Sequence, residues 1–125
     1  MGKPGLTGLA RIWNATRCSV EGIRAAWRHE AAFRQECVVA VVLIPAGYML
    51  GSTPVEQILL IGSVLLLLIV ELLNSAVEAV VDRISTDLHD LSGRAKDLGS
   101  AAVFLCIVLL LFVWVTLLWQ KVDAL

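Results

Sequence analysis

What this chain has least of is charge: 17% of its 125 residues are Asp, Glu, Lys or Arg, while 58% are apolar and the mean hydropathy is +0.83. One small soluble core cannot hide that much apolar surface, so an independent soluble enzyme is excluded and a membrane protein is expected. Neither sign of charge dominates, since ten Lys and Arg stand against eleven Asp and Glu, which argues against nucleic acid as a partner. Cysteine is scarce and odd in number: Cys18, Cys37 and Cys106 are widely spaced and make neither a disulfide framework nor a zinc motif. There is no G-x-x-x-x-G-K-[ST] loop and no G-x-G-x-x-G loop, so any ATP site must be built in another way. The first 36 residues hold no long apolar run, because nine charges from Lys3 to Glu36 interrupt it. A cleaved signal peptide is therefore not expected, and the N-terminal segment is read as part of the mature protein.

What is present are three stretches able to cross a hydrocarbon layer of ~30 Å, which needs about 20 helical residues. Charge-poor runs at 37–55, 57–81 and 98–120 predict transmembrane helices over about 31–52, 55–82 and 97–120 of a single integral membrane domain. Pro45 is tolerable inside a membrane helix. Gly51-Ser52-Thr53-Pro54 carries two breakers and no Lys or Arg, and reads as a tight turn on the outer side. Six of the ten basic residues (Lys3, Arg11, Arg17, Arg24, Arg28 and Arg34) precede the first span, and Arg83, Arg94 and Lys96 lie between the second and third. Both segments are thus expected to be cytoplasmic. Lys121 falls on the opposite side, where Trp114 and Trp119 would form an aromatic belt with Tyr48 at comparable depth. Over about 7–30, Leu9, Ile12, Trp13, Thr16, Val20, Ile23 and Trp27 share one helical face and the Arg residues lie elsewhere, which predicts an amphipathic helix along the cytoplasmic leaflet.

Some residues are out of place in such a chain. Glu71 and Glu78 sit in the second apolar run, although a charge at the bilayer centre costs roughly 2.5–3.5 kcal/mol even on lenient insertion scales. Glu71, Asn74, Ser75, Glu78 and Asp82 are offset by 3, 4, 7 and 11 residues, which puts them in one stripe on a helix. At ~1.5 Å per residue from Gln57, Glu71 lies about 21 Å in and Glu78 about 32 Å in, at the cytoplasmic edge. Glu30, Arg34, Gln35 and Glu36 form the matching end of the first span, and Glu30 can pair with Arg34 at i, i+4. The following loop adds Asp87, His89, Asp90, Ser92, Arg94, Lys96 and Asp97, with Lys96 expected at a helix N-terminus where backbone N–H groups favour an anion.

Carboxylates for a hard divalent cation, a cation beside a helix start and an intramembrane Glu suit phosphoryl transfer to an amphipathic acceptor. The alternatives are an ion or proton relay on the same carboxylates, and an assembly protein in which Asn74 and Ser75 are only interhelical glue. His89 is open between a solvated loop residue and a ligand contact, and Gly99-Ser100-Ala101-Ala102 between helix packing and a phosphate contact. Three helices alone should not shield two carboxylates from lipid, so a homo-oligomer with the stripe at a subunit interface is expected.

The segments RAAW (24 to 27), EAAFRQE (30 to 36), ELLNSAVEAVVDRI (71 to 84) and HDLSGRAKDLGSAAV (89 to 103) resemble the prokaryotic diacylglycerol kinase family over nearly the whole chain. The resemblance implies a homotrimer in the bacterial inner membrane whose active sites are shared between subunits and act on MgATP and a lipid. It implies Glu71 as the general base toward the primary hydroxyl of diacylglycerol, and Glu30 and Glu78 as the Mg²⁺ ligands. ATP contacts are implied at Arg11, Cys18, Glu30, Glu78, Asp87, His89, Lys96 and Asp97. Lipid contacts are implied at Arg11, Ser19, Arg24, Arg34, Gln35, Glu36, Glu71 and Ser100, with Asn74 and Asp82 supporting the stripe. The surface helix departs from the family pattern, having Cys18 and Val20 where an aromatic pair is expected. Some members of the family prefer undecaprenol, which is the alternative acceptor. A carboxylate shielded from water is also a better base near neutral pH than an exposed one, which agrees with the implied role of Glu71.

Overall fold

A computed structural model describes Gly5 and residues 7–125; Lys3, which enters the topology argument, lies outside the described residues. Among the described residues there are four helices and no strand: α1 Gly8–His29, α2 Ala31–Leu50, α3 Pro54–Ile84 and α4 Asp90–Asp123. α2, α3 and α4 are each long and apolar enough to cross a membrane, and the chain is an all-helical membrane protein with an amphipathic surface helix at its start. On α1, Leu9, Ile12, Trp13, Val20, Ile23 and Trp27 are all at least 44% exposed and Ala26 alone is buried. That stripe packs on nothing within the chain, as an apolar face that lies on a membrane surface would.

The joints explain the order of elements. Glu30 is at once the C-cap of α1 and the N-cap of α2: its extended backbone (φ −116°, ψ 105°) turns the chain in one residue. The 51–54 turn begins α3 with Pro54 in its first turn and Thr53 as N-cap, the Thr53 hydroxyl accepting from the Glu56 N–H at 3.2 Å. Glu56 Oε2 accepts from the Ser52 N–H at 2.6 Å, one residue before the N-cap, so the turn and the first turn of α3 are tied together from both sides. Gly51 is needed there because a Cβ would come 2.6 Å from Gln57 Cγ and 2.8 Å from the Gln57 nitrogen.

α4 starts earlier than its hydropathy predicts. His89 Nδ1 accepts from the Leu91 N–H at 3.1 Å and nucleates the helix at Asp90. Lys96 is consequently in the helix body and not at a helix N-terminus, which removes the anion-binding argument made for it above. No proline lies between Asp90 and Leu98, so the helix continues past the point where the apolar run stops and carries Gly93 within it. At ~1.5 Å per residue, α3 (31 residues) runs about 47 Å and α4 (34 residues) about 51 Å, more than a ~30 Å hydrocarbon layer can hold.

The core joins all three long helices: Ala40 from α2, Leu60, Val64 and Leu67 from α3, and Cys106, Leu110 and Trp114 from α4. α2 approaches closely at Gly47, where a Cβ would meet Leu60 Cβ at 3.1 Å and Trp114 Cζ2 at 3.5 Å. Trp114 is not the interfacial anchor expected from its position near the chain end. It is 7% exposed, and its Nε1–H donates to the Leu60 carbonyl at 3.1 Å, which gives the indole a polar partner inside the bundle. Trp119, 72% exposed, does face outward.

Candidate functional site

The polar stripe of α3 lies where α2 and α4 flank it, at the Glu30 end of the bundle. Glu71 and Asn74 are buried, at 5% and 9% exposure, Ser75 and Glu78 are half-buried, and Asp82 is exposed. A single chain thus covers one of the two intramembrane carboxylates, Glu71. Glu78 is left partly open. α2 and α4 do this by coming close to the stripe: the Glu36 carboxyl of α2 is within hydrogen-bond reach of the Glu71 carboxyl, and Gly99 of α4 sits against Asn74. A Cβ on Gly99 would overlap Asn74 Oδ1, so the small residue is required for this approach. Asn74 Nδ2 in turn donates to Glu78 Oε1 at 3.3 Å.

Further along, Lys96 Nζ pairs with Asp82 Oδ1 at 2.7 Å and ties α4 to α3 beside Glu78. Glu30 and Glu78 are both close enough to Glu71 for their charges to act on it. Four carboxyls, Glu30, Glu36, Glu71 and Glu78, therefore converge from the α1–α2 joint, α2 and α3. Three buried oxygens among these residues, Glu36 Oε2, Asn74 Oδ1 and Ser75 Oγ, find no hydrogen-bond partner in the chain. Such a concentration of unsatisfied acceptors is suited to a proton, a donor on a ligand or a hard cation. Among the described residues no group of three or more His, Cys, Asp or Glu could hold a metal. A Mg²⁺ ion that keeps water and phosphate oxygens would ask the protein for no more than one or two carboxylates, which is the kind of donor this cluster offers.

Arg34 behaves differently from the expectation of an ion pair with Glu30. Its Nη1 donates to the Trp27 and Arg28 carbonyls at 2.7 and 3.4 Å, where it caps the end of α1. The C-terminal carbonyls of a helix attract a guanidinium as a carboxylate does, and here they lie closer.

A cleft of about 620 Å³ opens between α1 and α3 next to this cluster, and its lining includes Ser19, Glu30 and Ser75. Its walls are small residues at matching spacing, Gly22, Ala25 and Ala26 on α1 against Ala76 and Ala79 on α3. These wall residues were missed by a reading guided by charge, yet their i, i+3, i+4 recurrence in the sequence is a signal for two helix faces that approach closely. Arg24 and Arg34 line a different cleft, on the α2 side of α1. His89 and Asp97 border a third, with Gly93 and Arg94. Arg11 stands some 19 residues before Glu30, about 28 Å along the helix, and does not join the carboxyl cluster within one chain. Cys18 is half-buried and accepts weakly from Asn14 Nδ2 at 4.0 Å; Gln35, Asp87 and Ser100 are exposed. The structure unites Glu30, Glu36, Glu71, Asn74, Glu78, Asp82 and Lys96, and distributes the other candidates over separate surfaces.

A family model described as "Prokaryotic diacylglycerol kinase" matches residues 17–118 of this chain. A Haemophilus influenzae protein named diacylglycerol kinase is 54% identical over 108 residues, 86% of this chain and 92% of that protein. Proteins of the same name from Pseudomonas aeruginosa and Escherichia coli K12 are 53% and 51% identical over 114 residues, 91% of this chain and 93% of each of them.

Proposed function

The chain belongs to the prokaryotic diacylglycerol kinase family, and from that premise we propose that it transfers the γ-phosphoryl group of ATP to the primary hydroxyl of diacylglycerol, giving phosphatidic acid at the cytoplasmic face of the bacterial inner membrane. The observation that carries the mechanism is Glu71: a carboxyl buried to 5% on an apolar helix, in a cluster of three others, beside a cleft that opens toward the surface helix. A lipid hydroxyl reaches that depth and a soluble alcohol does not.

In this reading Glu71 accepts the hydroxyl proton as the lipid oxygen bonds to the γ-phosphorus, and the bond from that phosphorus to the β,γ-bridging oxygen breaks to release ADP. Glu36, facing Glu71, holds it toward the acceptor. Glu30 and Glu78 would hold Mg²⁺, which when bound neutralises phosphate charge, and Asn74 fixes the orientation of Glu78 through their hydrogen bond. Lys96, held by Asp82, offers its charge to the nucleotide phosphates from α4. Arg11, Cys18, Asp87, His89 and Asp97 on the nucleotide side, and Ser19, Arg24, Arg34, Gln35 and Ser100 on the lipid side, complete the site once a second copy of the chain is adjacent. The dispersal of the remaining candidates over separate clefts is what a site shared between copies of the chain would show, and the family suggests a homotrimer.

The test is transfer of label from γ-labelled ATP into lipid, with purified protein in mixed micelles and diacylglycerol or undecaprenol offered separately. Mg²⁺-dependent label in phosphatidic acid is expected. Label chiefly in undecaprenyl phosphate would keep the mechanism and change the acceptor, and no label from a folded oligomer would refute the reading.

A further inference from the structure

Ser75 carries a hydroxyl that the fold leaves idle. Its Oγ is buried and finds no hydrogen-bond partner within the chain, so the interhelical role open to it in the sequence is not taken up. A helical hydroxyl ordinarily donates to the carbonyl one turn back, as Thr16 does to Ile12 and Ser19 does to Ala15, both at 2.9 Å. Ser19 and Ser75 line the same cleft of about 620 Å³ from opposite walls, and only the Ser75 hydroxyl is uncommitted. Its place on α3 is specific. Glu71 and Glu78 are two turns apart on one line of the helix, about 10 Å in rise, and Ser75 falls between them, one turn from each. At 100° per residue Asn74 flanks that line on one side and Ser75 on the other. The Asn74 flank is closed by Gly99 of α4, whereas the Ser75 flank faces the cleft that also holds Glu30. A group that enters from this cleft between the base and the metal carboxylates must pass the Ser75 hydroxyl.

We propose that Ser75 is a further catalytic residue, its Oγ–H donating to a non-bridging oxygen of the γ-phosphoryl group as that group crosses from ATP to the lipid hydroxyl. The inference rests on the kinase reading above and adds a residue to it. Ser75 keeps its proton throughout: the lipid's proton goes to Glu71, the new bond joins the lipid oxygen to phosphorus, and the broken bond leaves its electron pair on ADP. Charge in such a transfer spreads over the three non-bridging oxygens, and the four carboxyls nearby can only repel it. A neutral donor already fixed at that place stabilises the crossing group and needs no rearrangement to do so.

The experiment follows transfer from ATP to diacylglycerol by the full chain in mixed micelles, in steady state and in single turnovers at saturating substrates. Ser75→Ala should lower the transfer rate roughly 10- to 100-fold with KM for MgATP and for the lipid unchanged, and Ser75→Thr, which keeps the hydroxyl, should restore most of it. A hydroxyl without a partner adds nothing to the fold, so Ser75→Ala should resist denaturation as well as the parent chain or better. Rate and stability falling together would make Ser75 structural and overturn the proposal. A normal transfer rate would overturn it too, whether KM is unchanged or raised, because a raised KM alone marks a contact made before the transfer. Absence of lipid phosphorylation by the parent chain would instead refute the kinase reading itself, so the two failures are distinct.

Discussion

Replacing Gly99 by Ala should reach Glu78, the carboxylate proposed to hold Mg²⁺, through one intermediate. The new methyl would overlap Asn74 Oδ1 and lie 3.2 Å from Asn74 Cγ, and since α4 is a continuous helix there, the Asn74 side chain is the part that yields. Swinging it away breaks its 3.3 Å hydrogen bond to Glu78 Oε1. Hydrogen bonds to charged groups contribute about 1.5–3 kcal/mol, but this one is long and only partly buried, so about 1 kcal/mol is the appropriate scale, equivalent to roughly fivefold. The expectation is a roughly fivefold rise in KM for MgATP with KM for the lipid unchanged, measured by steady-state kinetics in mixed micelles, and with oligomeric state unaltered by light scattering. Asn74→Ala removes the same bond directly and makes room for the methyl, so Gly99→Ala should add nothing in that background. Independent, multiplying effects in the double variant, about 25-fold together, would refute the coupling through Asn74.

Glu71→Gln keeps the shape of the side chain and removes the base, so turnover should fall about 10²- to 10⁴-fold while nucleotide binding, followed by a fluorescent ATP analogue, persists. Near-normal turnover would end the assignment. Trp114→Phe deletes the Nε1–H donor to the Leu60 carbonyl and should cost about 0.5–1.5 kcal/mol in a denaturation series in mixed micelles, with kinetics intact. Lys121→Gln removes the cross-bundle contacts to Glu56 Oε2 at 3.1 Å and Ser52 Oγ at 2.6 Å. It should give a smaller loss that raised salt abolishes, and a salt-insensitive loss would mean that the ion pair is not its source.

Much of this arrangement was readable from spacing. The three spans, the amphipathic surface helix and the polar stripe from Glu71 to Asp82 all follow from periodicity and depth, because lipid imposes a strict rule on where polar groups can sit. The misreadings have local causes. A hydropathy profile marks where the hydrocarbon ends, not where the helix does, so the His89 cap and the early start of α4 were hidden behind polar residues that form helix perfectly well. Trp near the end of a span suits either an interface or a core, and only the position of the Leu60 carbonyl decides for Trp114. Arg34 was assigned to Glu30 by sequence spacing, whereas the one-residue joint exposes the last carbonyls of α1 within its reach. The Lys121 contacts and the packing of Gly99 on Asn74 bring together residues far apart in the chain, and nothing in a linear pattern announces them.

The joint at Glu30 has a mechanical side. With one extended residue between α1 and α2 there is no slack, so the angle at which the surface helix floats on the bilayer is passed to the Glu30 carboxyl as a crank passes rotation to its pin. The lipid plane then acts as a reference surface that aligns part of the polar cluster. In detergent, where that plane is curved, the same chain would be held in a slightly different gauge, and flat bilayers are the setting in which the geometry of the site is properly drawn.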